Sequence, residues 1–207
     1  MLNNLKKQVV CAAKKLYANK LVAGYSGNIS ALDVDSGLVA ITPSSTEYSE
    51  MQESDIVIIN LNGDVIEGTL PPSSEWKMHT QIYRKNNNVK AVVHTHSQHA
   101  TALAVLGKPI PLILIEMVPF LGGDIQIAEF ALPGSLELGN KVVEKISERN
   151  GCLLANHGVV ATGDSVEAAY VNAEYIEDAA KIYNLACISG TPKTIPSEFV
   201  IQMLEAD

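Results

Sequence analysis

The stretch "AVVHTHSQHA" (91–100) decides how the rest of the chain reads. It sets His94, His96 and His99 directly behind three apolar residues. "KAVVHTH" (90–96) reads as a strand that ends at its histidines. Side chains alternate faces along a strand, so His94 and His96 point the same way, one pleat apart. Two imidazoles on one face of a strand end are a natural start to a zinc site. Such a site needs three or four ligands, and a catalytic one keeps a position open. Alone, the pair would read as ordinary strand-end polar residues. His157, in "LLANHGVV" (153–160), supplies a third candidate: it too ends an apolar strand, and Gly158 beside it lets the backbone come close. His99 falls in the next helix and reads as structural or supporting. His79 lies one helical turn beyond Glu75, on the same face, and reads as a core or supporting histidine.

Outward from that stretch, helices and strands alternate. Residues 3–20 carry apolar positions at Leu5, Val9, Ala12, Ala13, Leu16 and Tyr17, close to helical spacing. "GYSGNIS" (24–30) reads as a turn. "LVAIT" (38–42) and "IVIIN" (56–60) are rich in β-branched residues, and "NGD" (62–64) turns the second into "VIEG" (65–68) as a hairpin. In "PPSSEWKMHTQIYRK" (71–85) two serines stand ready to cap a helix. "CLLA" (152–155) is a further strand, and a long helix runs from about Ser165 to Ala186. The early hairpin makes the sheet mixed rather than purely parallel. The expected fold is therefore α/β, a three-layer α/β/α sandwich formed by one domain over 1–207.

Composition narrows the function classes. A net charge of −8 argues against nucleic acid, which rewards clustered Lys and Arg. It leaves room for one phosphate, since backbone N–H groups and hydroxyls bind it without much basic charge. Cys11, Cys152 and Cys187 are odd in number and widely spaced, so no disulfide framework is expected. The N-terminal stretch lacks a signal-peptide pattern, and the apolar run "IPLILIEMVPF" (110–120) is too short to span a bilayer and carries Glu116. No membrane partner is expected, and the cytoplasm is the expected location.

Three short stretches are rich in small hydroxyl or amide groups: "SGN" (26–28), "TPSS" (42–45) and "PSSE" (72–75). Singly each is an ordinary turn or cap. Together they offer what a phosphate needs. Ser73 and Ser74 stand at a helix N-terminus, where free N–H groups and the dipole favour an anion. Asn28 adds an amide and Ser44 a hydroxyl. Glu75 stands next to them; beside a metal and a phosphate pocket it is a candidate general base and acid.

"SGNIS", "ITPSS", "PSSEWKMH", "AVVHTHSQHATALAVLGKPIP" and "LLANHGV" follow one another in the order and rough spacing of the class II aldolase/adducin family, which the chain resembles from about residue 5 to 190. The resemblance is strongest to the fuculose-phosphate aldolases within it. It implies one zinc ion per subunit on His94, His96 and His157. It also implies a phosphate cradle from Asn28, Ser44, Ser45, Ser73 and Ser74, with Glu75 as the acid/base carboxylate. Ser45 stands where relatives often have Gly; if only its N–H is used, serine serves. The implied reaction is reversible cleavage of a ketose 1-phosphate to dihydroxyacetone phosphate and a small aldehyde. The implied assembly is a homotetramer with active sites between subunits. Epimerases of the family place Asp at position 75, dehydratases place Cys, and adducin-like binding modules lose the metal histidines. Here Glu75 and all three histidines stand, so an aldolase leads, with a dehydratase, an epimerase and a binding module as alternatives. Two features depart from the pattern. "LILIEMVPFLGGD" (112–124) lacks the tyrosine that the aldolases carry there as a proton donor, and Glu116 or Phe120 stands near the position. The stretch "IQMLEAD" (201–207) has no tyrosine where the aldolases' C-terminal tail carries another.

Overall fold

Alternate side chains along the strands are apolar on both faces. Val39, Ile41, Val57, Ile59, Val92 and Val160 face one way, and Ile29, Ala31, Ile58, Val93, Val159 and Ala161 the other. A sheet with two apolar faces must be covered twice. In this computed structural model, which describes residues 2–204, it is. Met1 and residues 205–207 lie outside the described residues, and with them the ends of the expected 1–207 domain and of "IQMLEAD".

The strands are β1 (Asn28–Asp33), β2 (Leu38–Ile41), β3 (Val57–Asn60), β4 (Val65–Glu67), β5 (Ala91–Thr95), β6 (Ile127–Ala128), β7 (Gly151–Leu154) and β8 (Gly158–Gly163). They form one sheet in the order β4-β3-β2-β1-β5-β8-β7-β6. Helices α1 (Leu2–Ala18), α3 (Gln98–Val105), α4 (Met117–Leu121) and α6 (Val166–Ser189) cover one face. The other face is covered by α2 (Trp76–Lys85) and α5 (Leu136–Lys145). A last helix, α7 (Ser197–Leu204), lies beside α4. The result is the expected α/β/α sandwich. Among the described residues no helix is long and apolar enough to cross a membrane.

The structure bears out the mixed sheet and corrects two local expectations. The sheet is mixed, but only β6 and β7 run parallel; every other neighbouring pair is antiparallel. "NIS" (28–30) is not the end of a turn but the start of β1, a central strand. Its polar residues, Asn28 and Ser30, are buried at 5% and 0% exposure, so they hydrogen-bond to side chains inside the protein instead of to water. Finally, α2 starts later than the serine pair suggested: Glu75 itself is the N-cap residue, and Ser73 and Ser74 precede it. Ser73 supports the turn by accepting the Glu75 N–H on its hydroxyl (3.3 Å) and the Trp76 N–H on its carbonyl (3.1 Å).

Candidate metal centre and catalytic pocket

Antiparallel pairing explains how the three histidines meet. His94 stands opposite Val160 and Thr95 opposite Val159, so the chain leaving β5 at His96 runs past the beginning of β8. There β7 turns into β8 through Ala155, Asn156 and His157, with Leu154 paired to Gly158. His157 thus arrives on a hairpin turn next door rather than from a separate strand end. Asn156 takes φ 56°, a left-handed conformation that Asn accommodates better than most residues. Gly158 is needed for the close approach. A Cβ there would collide with the Thr95 carbonyl and lie 3.2 Å from His94 Cε1 and 3.3 Å from His96 Cδ2.

The rings of His94, His96 and His157 have centroids 4.8, 4.8 and 5.1 Å apart, edge to face. One ligand nitrogen from each lies within 4.8 Å of the others. His94 Nδ1–H donates to the Val159 carbonyl (2.8 Å), which leaves Nε2 directed at the cluster, 3.0 Å from His96 Nε2. The Glu75 carboxylate lies across the same cluster. Its Oε2 is 3.1 Å from His94 Nε2 and its Oε1 3.6 Å from His157 Nε2. Asn28 Nδ2 donates to Oε2 (2.9 Å), while Oε1 is buried without a hydrogen-bond partner.

Charge is balanced within this group. Burial pushes the Glu75 carboxyl up, but the charge and hydrogen bond of His94, the Asn28 amide and His157 together outweigh it and hold the carboxyl well below its usual range. Burial works to lower His94; the Glu75 charge, with hydrogen bonds to Glu75 and Val159, raises it instead. Burial and the neighbouring His94 and His157 push His96 down to about 4, and His157 is lowered by burial and then by His94. Three imidazoles therefore converge beside one carboxylate. A divalent cation takes that place naturally. The donor set, three convergent imidazole nitrogens and a carboxylate with an unpaired buried oxygen, fits zinc.

A cavity of about 240 Å³ opens beside the cluster. Its wall brings together Asn28, Ser44, Ser45, Ser73, Ser74, Glu75, His96 and His157; His94 lies behind it, fully buried. A bridge between Pro43 and Pro72 joins the two serine loops. The Ser44 N–H donates to the Pro71 carbonyl and the Ser73 N–H to the Thr42 carbonyl, both at 3.0 Å. Gly27, at φ 81°, lets the "SGN" turn pass the His94 carbonyl, which a Cβ would approach to 2.7 Å. Ser45 holds φ 55° without being glycine.

His79 is fully buried and hydrogen-bonded to Asn28 and Ser30, a supporting position. His99 lies in the first turn of α3, where its N–H and that of Ala100 donate to the two Glu177 carboxylate oxygens (2.9 Å each). Neither Glu116 nor Phe120 lines the cavity of its own chain; Phe120 stacks on Tyr175 with centroids 4.2 Å apart. Sequence reasoning missed Tyr25 and Pro133 in the cavity wall. It also missed Tyr48, whose buried phenol is kept protonated by burial and by the Glu75 charge. Nothing in "EYSEM" (47–51) distinguishes that tyrosine from an ordinary core residue.

Known proteins share this fold. The profile of the Class II Aldolase and Adducin N-terminal domain matches residues 7–184. A 5-deoxy-D-ribulose 1-phosphate aldolase of Bacillus thuringiensis serovar kurstaki is 38% identical over 198 residues, covering 96% of this chain and 92% of the relative. A 5-methylthioribulose-1-phosphate/5-deoxyribulose-1-phosphate aldolase of Rhodospirillum rubrum is 35% identical over 201 residues, covering 97% and 90%. A solved L-fuculose 1-phosphate aldolase superposes with a TM-score of 0.94 at 38% identity, over 98% of this chain and 95% of that one. With the sandwich, the histidine cluster and near full-length agreement in hand, the chain belongs to the class II aldolase and adducin family.

Proposed function

We propose that this protein is a zinc-dependent aldolase that reversibly cleaves a ketose 1-phosphate to dihydroxyacetone phosphate and a small aldehyde. The observation that carries the reading is Glu75. Its unpaired Oε1 lies within the imidazole cluster and its residue lines the same cavity as Ser44, Ser45, Ser73 and Ser74. One side of the cavity suits a phosphate and the other a metal, with the carboxylate between them.

His94, His96 and His157 would hold the ion, which when bound supplies Lewis acidity toward the substrate's carbonyl and hydroxyl oxygens. The phosphate would rest on Ser44, Ser73 and Ser74 and on the backbone N–H of Ser45. Asn28 borders both groups. In the condensation direction Glu75 takes a proton from the hydroxymethyl carbon of dihydroxyacetone phosphate, and the resulting enediolate attacks the aldehyde. In cleavage the C4 hydroxyl loses its proton as the bond between C3 and C4 breaks and the aldehyde leaves, and Glu75 gives a proton to C3; condensation runs the same two proton movements in reverse. Held below the usual carboxylate range, Glu75 is ionised at neutral pH. The relatives named for 5-deoxyribulose 1-phosphate match almost the whole chain, and cleavage of that sugar between C3 and C4 releases acetaldehyde. Acetaldehyde is therefore the leading partner, and lactaldehyde, the counterpart for fuculose 1-phosphate, is next. Exposed Tyr25 and Leu132, at the cavity and beside its Pro133, are consistent with a subunit neighbour there, as in a homotetramer. We place the enzyme in the cytoplasm.

The test follows dihydroxyacetone phosphate in deuterated water by NMR with the zinc-loaded protein. Stereospecific loss of one C3 proton is expected. It should vanish with a chelator and fall by about 10²–10⁴-fold in Glu75→Gln, the range for a lost general base. A zinc-loaded wild type that exchanges no proton and condenses no aldehyde would sink the aldolase reading and leave a dehydratase or epimerase to be tried.

A further inference from the structure

Glu75, His79 and Tyr83 recur at every fourth position from the cap of α2, and Asn28 and Ser30 alternate on the facing side of β1. Four helical residues rise about 6 Å and two strand residues about 6.8 Å, so the two polar stripes can interleave. They do so as one continuous chain. Glu75 Oε2 meets Asn28 Nδ2 at 2.9 Å, and Asn28 Oδ1 meets His79 Nε2 at 2.5 Å. His79 Nδ1 then meets Ser30 Oγ, and Ser30 Oγ meets the Tyr83 hydroxyl, each at 2.6 Å. All five side chains are buried.

The direction of every bond follows from the first. An ionised carboxylate only accepts, so Asn28 must turn its NH₂ toward Glu75 and its Oδ1 backward. That oxygen also only accepts, so His79 must donate from Nε2. Burial keeps the ring neutral, so Nδ1 accepts and Ser30 donates to it. Ser30 in turn accepts from Tyr83. Asn28 Nδ2 carries a second hydrogen, and Asn28 lines the cavity. A flipped amide would set its carbonyl oxygen against the Glu75 carboxylate and against any anion in the cavity.

We propose that His79 is a positioning residue, whose Nε2–H locks the Asn28 amide so that its N–H groups face Glu75 and the substrate pocket. The inference rests on Glu75 being the proton-transfer group, and its test separates the two. One arm uses ¹⁵N NMR of the histidine side chains in the zinc-loaded wild type. His79 is expected as a neutral ring protonated at Nε2; a proton on Nδ1 alone overturns the proposal whatever the activity. The second arm compares proton exchange on dihydroxyacetone phosphate in His79→Gln and His79→Leu at equal zinc content and equal folded fraction. Glutamine keeps an N–H donor and leucine does not. Glutamine should hold the rate within about threefold and leucine should lose about 10–100-fold, as for other groups that orient an active residue. Equal rates in the two folded variants overturn the proposal. A wild type that exchanges nothing and condenses no aldehyde refutes the aldolase reading instead, and the NMR arm still decides the role of His79.

Discussion

Ser45 holds a φ of 55° in the middle of the loop assigned to the phosphate. A left-handed non-glycine residue costs about 1–2 kcal/mol, and glycine in its place gives back roughly 0.5–1 kcal/mol of that in chain entropy. Ser45→Gly should therefore raise the melting temperature by about 1–4 °C for a chain of this size. If the loop presents only its N–H, inorganic phosphate should bind the variant as it binds the wild type in a calorimetric titration. A tenfold loss would instead place the serine hydroxyl on the anion. At this scale the grouping of His94, His96, His157 and Glu75 was legible in the sequence, because metal and proton chemistry admit few residue types and strand alternation puts two of them on one face. His79 was legible only in part. Its spacing from Glu75 showed on the helix, but its partners Asn28 and Ser30 lie on a strand that read as a turn, since buried polar residues imitate a loop.

The candidate metal site lies where β5 ends and β8 begins, and Gly158 lets the two come close there. Gly158→Ala would drive a methyl into the Thr95 carbonyl and onto the rings of His94 and His96. The strands must part there, so zinc affinity, read by competition with a chromogenic chelator, should fall at least tenfold, the lower end of the cost of disturbing groups that orient ligands. Gly190→Ala, with nothing within 4 Å of its added carbon, should leave affinity unchanged. Helix α3 makes a second case. Ser97, its N-cap residue, makes no side-chain cap bond, and Glu177 from α6 accepts the His99 and Ala100 N–H groups instead. Glu177→Ala should cost about 1–2 kcal/mol, the range of a lost cap, visible in the urea midpoint; an unchanged midpoint would mean water replaces the carboxylate at no cost. Helix α1 was legible from its periodicity, and strands β2 and β3 from their β-branched residues. The α3 cap was not, because its capping group comes from 78 residues away.

For the whole molecule, the buried site ties stability to pH with opposite signs on its two sides. His79 is pushed down by burial from 6.5 to about 3. Between those values the unfolded chain holds its proton and the native chain does not, so stability falls as pH falls, by on the order of 5 kcal/mol over the full window. Glu75, held low, adds to the same acid-side loss below its unfolded pKa. His94 works the other way: raised above 6.5, it contributes stability at lower pH that is lost as pH rises through its native value. A bound dication removes that alkaline limb, because it takes the place of the His94 proton and its affinity grows as the proton leaves. The gap in melting temperature between zinc-loaded and chelated protein, at fixed free zinc, should therefore widen from pH 6.5 upward. The limit is about 1.4 kcal/mol per pH unit for one displaced proton. The widening should stop once pH passes the native pKa of His94. Thermal melts at pH 6, 7 and 8 measure it. A gap that stays flat across that range would mean that no proton is displaced from the cluster, and the metal would then have to bind away from His94.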